Sequence, residues 1–180
     1  MFTNPNKNEE ELGKIEHDPA KPAGRLAVIG IGNPLMGDDA AGIIVLQGLR
    51  RADLPPGTEL IDGGTGGLSL LHTLSKYDAV VIADAVDMGL QAGQVRVFSP
   101  NDVVAIRGPQ RLSAHEEDFL EVVKLVDQLE ESPPKIRICA IQPKQIDPNV
   151  HLAKEVQEAL PQFTRTISLE LWNLRRDFQE

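Results

Sequence analysis

Asp38 and Asp39 stand side by side in the segment Gly30-Ile31-Gly32-Asn33-Pro34-Leu35-Met36-Gly37-Asp38-Asp39-Ala40-Ala41-Gly42, between a short apolar run and a helical pattern. Two carboxylates where a buried strand turns into a helix lie where open α/β sheets place their active sites. A helix N-terminus favours negative charge, which accounts for one of the pair as an N-cap and leaves the other for chemistry. Asp84 directly follows the apolar run Ala79–Ala83, and a carboxylate there is costly unless something pairs with it. Its alternative is a turn aspartate bonded to its own backbone. His115 lies in Ser113-Ala114-His115-Glu116, where Ser and Glu have the spacing of a capping box, so the ring belongs to the first turn of a helix. Asp39, Asp84 and His115 form an oxygen, oxygen, nitrogen set. Such a set suits a borderline divalent ion such as nickel, zinc or manganese and leaves positions open for water or substrate. A metal held this way polarises a carbonyl or lowers the pKa of bound water.

Other residues carry less. His17 falls in a polar N-terminal stretch, His72 lies mid-helix, and His151 follows a Pro-Asn turn. Asp78 and Asp87 read as turn residues. Cys139, the single cysteine, sits inside the apolar run Ile136–Ile141 and reads as a buried small hydrophobe. The glycine segment begins like a dinucleotide fingerprint, but Leu35 stands where the third glycine belongs. Two acidic residues at the helix start would also repel a pyrophosphate.

The elements that must position these groups alternate along the chain. Strands are expected at Arg25–Gly30, Glu59–Ile61, Ala79–Ala83, Gln94–Phe98 (an edge strand, from its alternation) and Lys135–Ile141. Helices are expected at Ala41–Arg51, from Leu68 to about Ser75, at His115–Leu129 and at Asn149–Leu160. Pro161 should then break or kink the pattern before a last helix ending near Arg176. In that helix Ile167, Leu171 and Leu174 share one face, with Trp172 alongside, and core packing is its default reading. Strands alternating with helices imply an α/β fold with a mostly parallel sheet and helices on both faces. The carboxyl ends of its strands bring together Asp38-Asp39, the loop Asp62–Gly67 and Asp84.

The 180 residues are most simply one domain over 25–180, preceded by a flexible acidic extension over 1–24. The net charge of −9 comes without any long basic cluster, which argues against nucleic acid or an anionic membrane as partner. No apolar run reaches the roughly 18 residues of a membrane span. With one cysteine and no signal-type segment at the N-terminus, the expected compartment is the cytoplasm. A monomer is expected.

The same motifs resemble those of the hydrogenase maturation proteases, endopeptidases that trim the large subunit of nickel-iron hydrogenases. That pattern is met in order by Gly30-Ile31-Gly32-Asn33, Asp38-Asp39, Asp62-Gly63-Gly64-Thr65, Ile82-Ala83-Asp84 and Ser113-Ala114-His115. The resemblance covers about Leu26 to Phe163. Asp84–Leu90 and Ile141-Gln142-Pro143 look like the branch that processes the hydrogenase of formate hydrogenlyase. Asp39, where another branch has Glu, agrees with that branch, whereas Ala40 replaces the usual glycine and the acidic extension has no counterpart. The resemblance implies a three-layer α/β/α sandwich around a twisted, mostly parallel five-stranded sheet. It also implies that Asp39, Asp84 and His115 are the catalytic, metal-contacting residues of an aspartic-type endopeptidase. The metal is nickel, carried by the hydrogenase large-subunit precursor rather than held tightly by the protease. Two other readings are a non-proteolytic nickel-dependent chaperone of the precursor and a hydrolase with its own divalent metal.

Overall fold

The computed structural model describes residues 24–105, 122–126, 128–129 and 132–179. Five strands, β1 (Leu26–Gly30), β2 (Glu59–Asp62), β3 (Ala79–Ala85), β4 (Val95–Phe98) and β5 (Lys135–Ile141), form one sheet in the order β2-β1-β3-β5-β4. Every pairing is parallel except β4 with β5. The three central strands read as apolar runs because both faces are covered, and β1 and β3 are buried at every position. Alternation then sorts their side chains. Leu26, Val28, Val81, Ala83, Cys139 and Ile141 meet helices α1 (Ala41–Leu49) and α5 (Lys154–Arg176) on one face. Ala27, Ile29, Val80, Ile82, Ile136 and Ile138 meet α2 (Ser69–Leu74) and the helical residues 122–126, here α4, on the other. The expected three layers are present.

The edge strand is where its alternation placed it, and it runs antiparallel to β5. A short helix, α3 (Pro100–Ala105), follows it and was not foreseen. Cys139 is fully buried, and that burial pushes its thiol well above the ordinary range, as a small hydrophobe in a core requires. Among the described residues, no helix is long and apolar enough to cross a membrane. The extension over residues 1–23 lies outside the described residues.

Two expectations are corrected. The helix expected to start at Asn149 and to break at Pro161 is instead one 23-residue helix, Lys154–Arg176, with Pro161 inside it. Its start is delayed because Asn149 takes a positive φ of 60° and its N–H donates to Leu35 O, while the N–H of Ala153 is used elsewhere. Pro161 survives because Val156, Phe163, Ile167, Leu171 and Leu174 form one buried stripe on both sides of it. A proline in a helix interior costs about 3 kcal/mol, less than the stripe contributes together at roughly 1.5–3 kcal/mol for each buried side chain. Trp172 donates from Nε1 to Asp53 O and Arg175 donates to Pro56 O, so the helix also holds the connection leading to β2. The second correction concerns Asp84. It does not follow β3 but lies within it, paired in register with Ala140, because β5 runs on to Ile141 and extends the ladder.

The glycines of the first motif serve backbone packing. A Cβ on Gly42 would fall 2.2 Å from Ile31 O and 2.3 Å from Ala83 O, and one on Gly30 would fall 2.2 Å from Gly42 O. Glycine at 42 therefore lets the start of α1 rest directly on the ends of β1 and β3. Gly42→Ala is expected to lower stability by about 3 kcal/mol or more, because backbone on both strands must give way. The midpoint of urea unfolding checks this.

Candidate functional site

Among the described residues, the buried polar side chains are Asp38, Asp39, Asp84 and Gln142, at 0%, 3%, 6% and 5% exposure. All four lie at or just beyond the carboxyl ends of β1, β3 and β5. Acceptor-only carboxylates rarely enter a protein interior without a strong reason, and here three do so at one edge of one sheet.

The acidic pair is carried by a 3₁₀ turn, Gly37–Ala40, that leads into α1. Neither carboxylate caps α1, contrary to the N-cap expectation: no side-chain bond reaches the helix's own first amides. The two neighbours do different work. Asp38 reaches across to the β5–α5 connection, where Oδ2 accepts the N–H of Lys144 at 2.8 Å and of Gln145 at 3.0 Å. Its Oδ1 accepts the N–H of Ala153 at 2.6 Å, and Asp38 N donates to Gln145 O at 3.1 Å. Asp38 is thus consumed in holding the loop that covers the turn. Asp39 bonds locally: Oδ2 accepts the N–H of Asn33 at 2.7 Å. Asn33 in turn accepts the Leu35 N–H on its own Oδ1, a side-chain turn that shapes the loop before the pair.

Gly32 makes that arrangement possible. Its φ is +142°, and a Cβ there would lie 1.8 Å from Asp39 O. The Gly-Ile-Gly-Asn segment therefore lets the acidic turn fold back onto the end of β1, which is unrelated to the phosphate cradle of a nucleotide site. Leu35, at the position of the missing third glycine, is 70% exposed.

Asp84 occupies the exit of β3, the hydrogen-bonded neighbour of β1. Its Oδ1 accepts the N–H of Ala85 at 2.7 Å, so the local bond of the turn reading is present even though the residue is in a strand. Register places Gly30 beside Ala83, and Ile31 N donates to Ala83 O at 2.8 Å. Asp39 and Asp84 are thereby set at the exits of adjacent strands, against the start of α1.

The loop after β2 closes a third side. Gly63 N donates to Gly30 O and Gly64 O accepts Gly32 N, both at 2.8 Å. Asp62 folds the loop by accepting Gly64 N at 2.9 Å and is itself exposed, at the rim rather than in the buried group. His115 lies outside the described residues, as do Ser113, Glu116 and the start of the helix expected at His115–Leu129. Among the described residues no three His, Cys, Asp or Glu side chains come together as a metal cluster. His72 lies in the last turn of α2 and His151 is exposed.

Sequence reasoning missed the structural role of Asp38 and the burial of Gln142. The first has no local signal, because its three partners lie 106 to 115 residues away. The second carried one: a polar residue ending the apolar run of β5, in the position Asp84 takes near the end of β3.

Residues 43–170 match the hydrogenase maturation protease family, beginning just after Asp39 and covering Asp84 and His115. The chain is 31% identical over 127 residues to the hydrogenase expression/formation protein HupD of Rhizobium leguminosarum bv. viciae, over 70% of this chain and 63% of that protein. It is 28% identical over 134 residues to the hydrogenase 2 maturation protease of Escherichia coli K12, over 74% of this chain and 82% of that protein. The solved structure of the hydrogenase-maturating endopeptidase HybD from E. coli superposes with a TM-score of 0.74 at 26% identity, over 83% of this chain and 93% of that one. The chain spans between 56% and 65% of the length of the first curated relatives it matches.

Proposed function

Because this chain belongs to the hydrogenase maturation protease family, we propose that it is an endopeptidase that recognises nickel in the precursor of a nickel-iron hydrogenase large subunit and removes a C-terminal peptide from it. The observation that carries the reading is the burial of Asp39 and Asp84 at the exits of adjacent strands, each held by a backbone amide. Carboxylates oriented in this way at a sheet edge suit a cation delivered from outside. The nickel arrives as part of the substrate.

In this reading Asp39, Asp84 and His115 engage the nickel carried by the precursor and so fix the scissile bond beside it. A water polarised by the metal, its proton accepted by Asp39 or Asp84, adds to the peptide carbonyl. The C–N bond then breaks and the departing amine takes up a proton. Holding the bond in place converts the encounter into an intramolecular one, which supplies much of the rate. Three contacts to the metal suit inspection better than permanent caging, since a structural site closes all four positions. The partner is the nickel-loaded precursor, and the cytoplasm is where the two meet.

The test is the intact mass of a large-subunit precursor, nickel-loaded and nickel-free, after incubation with this protein. Loss of a C-terminal peptide from the loaded form alone is the expected result. Cleavage of both forms would assign a hydrolase that does not inspect nickel. Binding with no cleavage of either would assign the non-proteolytic chaperone.

A further inference from the structure

Gln142 is the uncharged member of the buried polar group, and its side-chain amide is engaged on both sides. Oε1 accepts the N–H of Met88 at 2.7 Å and of Leu90 at 3.1 Å. Nε2 donates to Asp87 Oδ1 at 3.0 Å and to Pro143 O at 3.1 Å. Its main chain reaches in another direction: Gln142 N donates to Gln94 O and Gly93 N donates to Gln142 O, both at 2.8 Å. One residue therefore holds both ends of the β3–β4 connection, with its side chain at residues 87–90 and its backbone at 93–94.

These bonds do little for the core. Asp87 and Gly89 are exposed, and none of residues 87–90 belongs to either buried apolar cluster. A buried amide committed to such a segment specifies its geometry. That geometry bears on Asp84. The ladder between β3 and β5 ends at Ala85 opposite Ile141, and Val86 N makes a last bond to Ile141 O at 3.0 Å. The Asp84 carboxylate is oriented by the Ala85 N–H, so the direction it faces depends on the peptide that follows it.

We infer that Gln142 is a positioning residue for Asp84, clamping the 87–90 loop so that the exit of β3 and its carboxylate keep one orientation toward the substrate. The inference rests on the proteolytic role proposed above. Hydrogen bonds from the Gln142 amide and then from Gly89 N–H also hold the Asp87 carboxyl below its ordinary range, so the acceptor side of the clamp stays charged.

With nickel-loaded precursor as substrate, Gln142→Ala is expected to lower kcat about 10- to 100-fold while KM stays within about twofold, the signature of a displaced catalytic group. Amide hydrogen exchange in the free protein is expected to quicken at Met88 and Leu90 by about tenfold or more, with β1 and β3 still protected. Gln142→Glu sets two carboxylates against each other and should be as impaired. Wild-type kcat in Gln142→Ala, or a loss confined to KM, would overturn the positioning role. An uncut precursor with the wild-type protein overturns the proteolytic reading, whereas unchanged exchange at Met88 and Leu90 in Gln142→Ala overturns the clamp by itself.

Discussion

Asp84→Asn is expected to abolish processing of the nickel-loaded precursor, with a fall in kcat/KM of about 10³-fold or more, while the domain stays folded. The substitution keeps the shape of the side chain and keeps an oxygen to accept the Ala85 N–H, now at 2.7 Å from Oδ1. Strand β3 retains its register with β5 on both sides of the position. Only the charge is removed, and with it the ability to meet a cation or to accept a proton in the transition state. Loss of a general base or of an electrostatic contact in a closed site is worth roughly 10²–10⁴-fold. The check pairs the intact mass of the precursor with a thermal melt of the variant. Normal processing by Asp84→Asn would sink the assignment of Asp84, and a collapsed melt would make it structural.

Asp38→Ala is expected to do the reverse and strike stability first. Three buried or half-buried amides, those of Lys144, Gln145 and Ala153, lose their acceptor at once. A hydrogen bond to a charged group is worth about 1.5–3 kcal/mol, and a stranded buried donor costs about 1–3 kcal/mol. Allowing for partial relaxation of the loop toward water, the loss should be about 3–4 kcal/mol. In a chain of this length that lowers the melting temperature by roughly 6–16 °C. Its neighbour provides the contrast. Asp39 bonds a single amide, Asn33 N, so Asp39→Asn should melt close to wild type and yet fail in processing. Similar melting of Asp38→Ala and the wild-type protein would show that the 144–153 connection does not depend on this carboxylate.

These contrasts mark how far the residues could be read in order. The central strands were legible because a strand covered on both faces must be mainly apolar: β1 is so throughout, β3 up to Asp84, and β5 apart from Lys135 and Arg137. The edge strand was legible from alternation, and the layers from the alternation of strands with helices. Pro161 misled because its local cost is visible in the sequence, whereas the buried stripe that outweighs it forms only against the sheet. Asp84 was placed one element too late because the extent of a strand depends on its partner, and β5 lies 56 residues further on in register.

For the site, the order of residues already carried the groups themselves: two carboxylates after the first strand, one at the third, and glycines between them. It also determined the family, since five motifs in order are a pattern in one dimension. It did not divide the labour within Asp38-Asp39, because adjacent side chains of one type differ only in what faces them. Only the tertiary structure did that, by folding the 144–153 connection over Asp38 and leaving Asp39 to the loop at the end of β1. The same holds for Gln142, which the sequence offers only as part of a branch motif and whose bonds to residues 52 to 55 positions away exist only once β3 and β5 lie side by side. Local propensity and motif order are properties of neighbours along the chain. The satisfaction of a buried polar group is a property of neighbours in space.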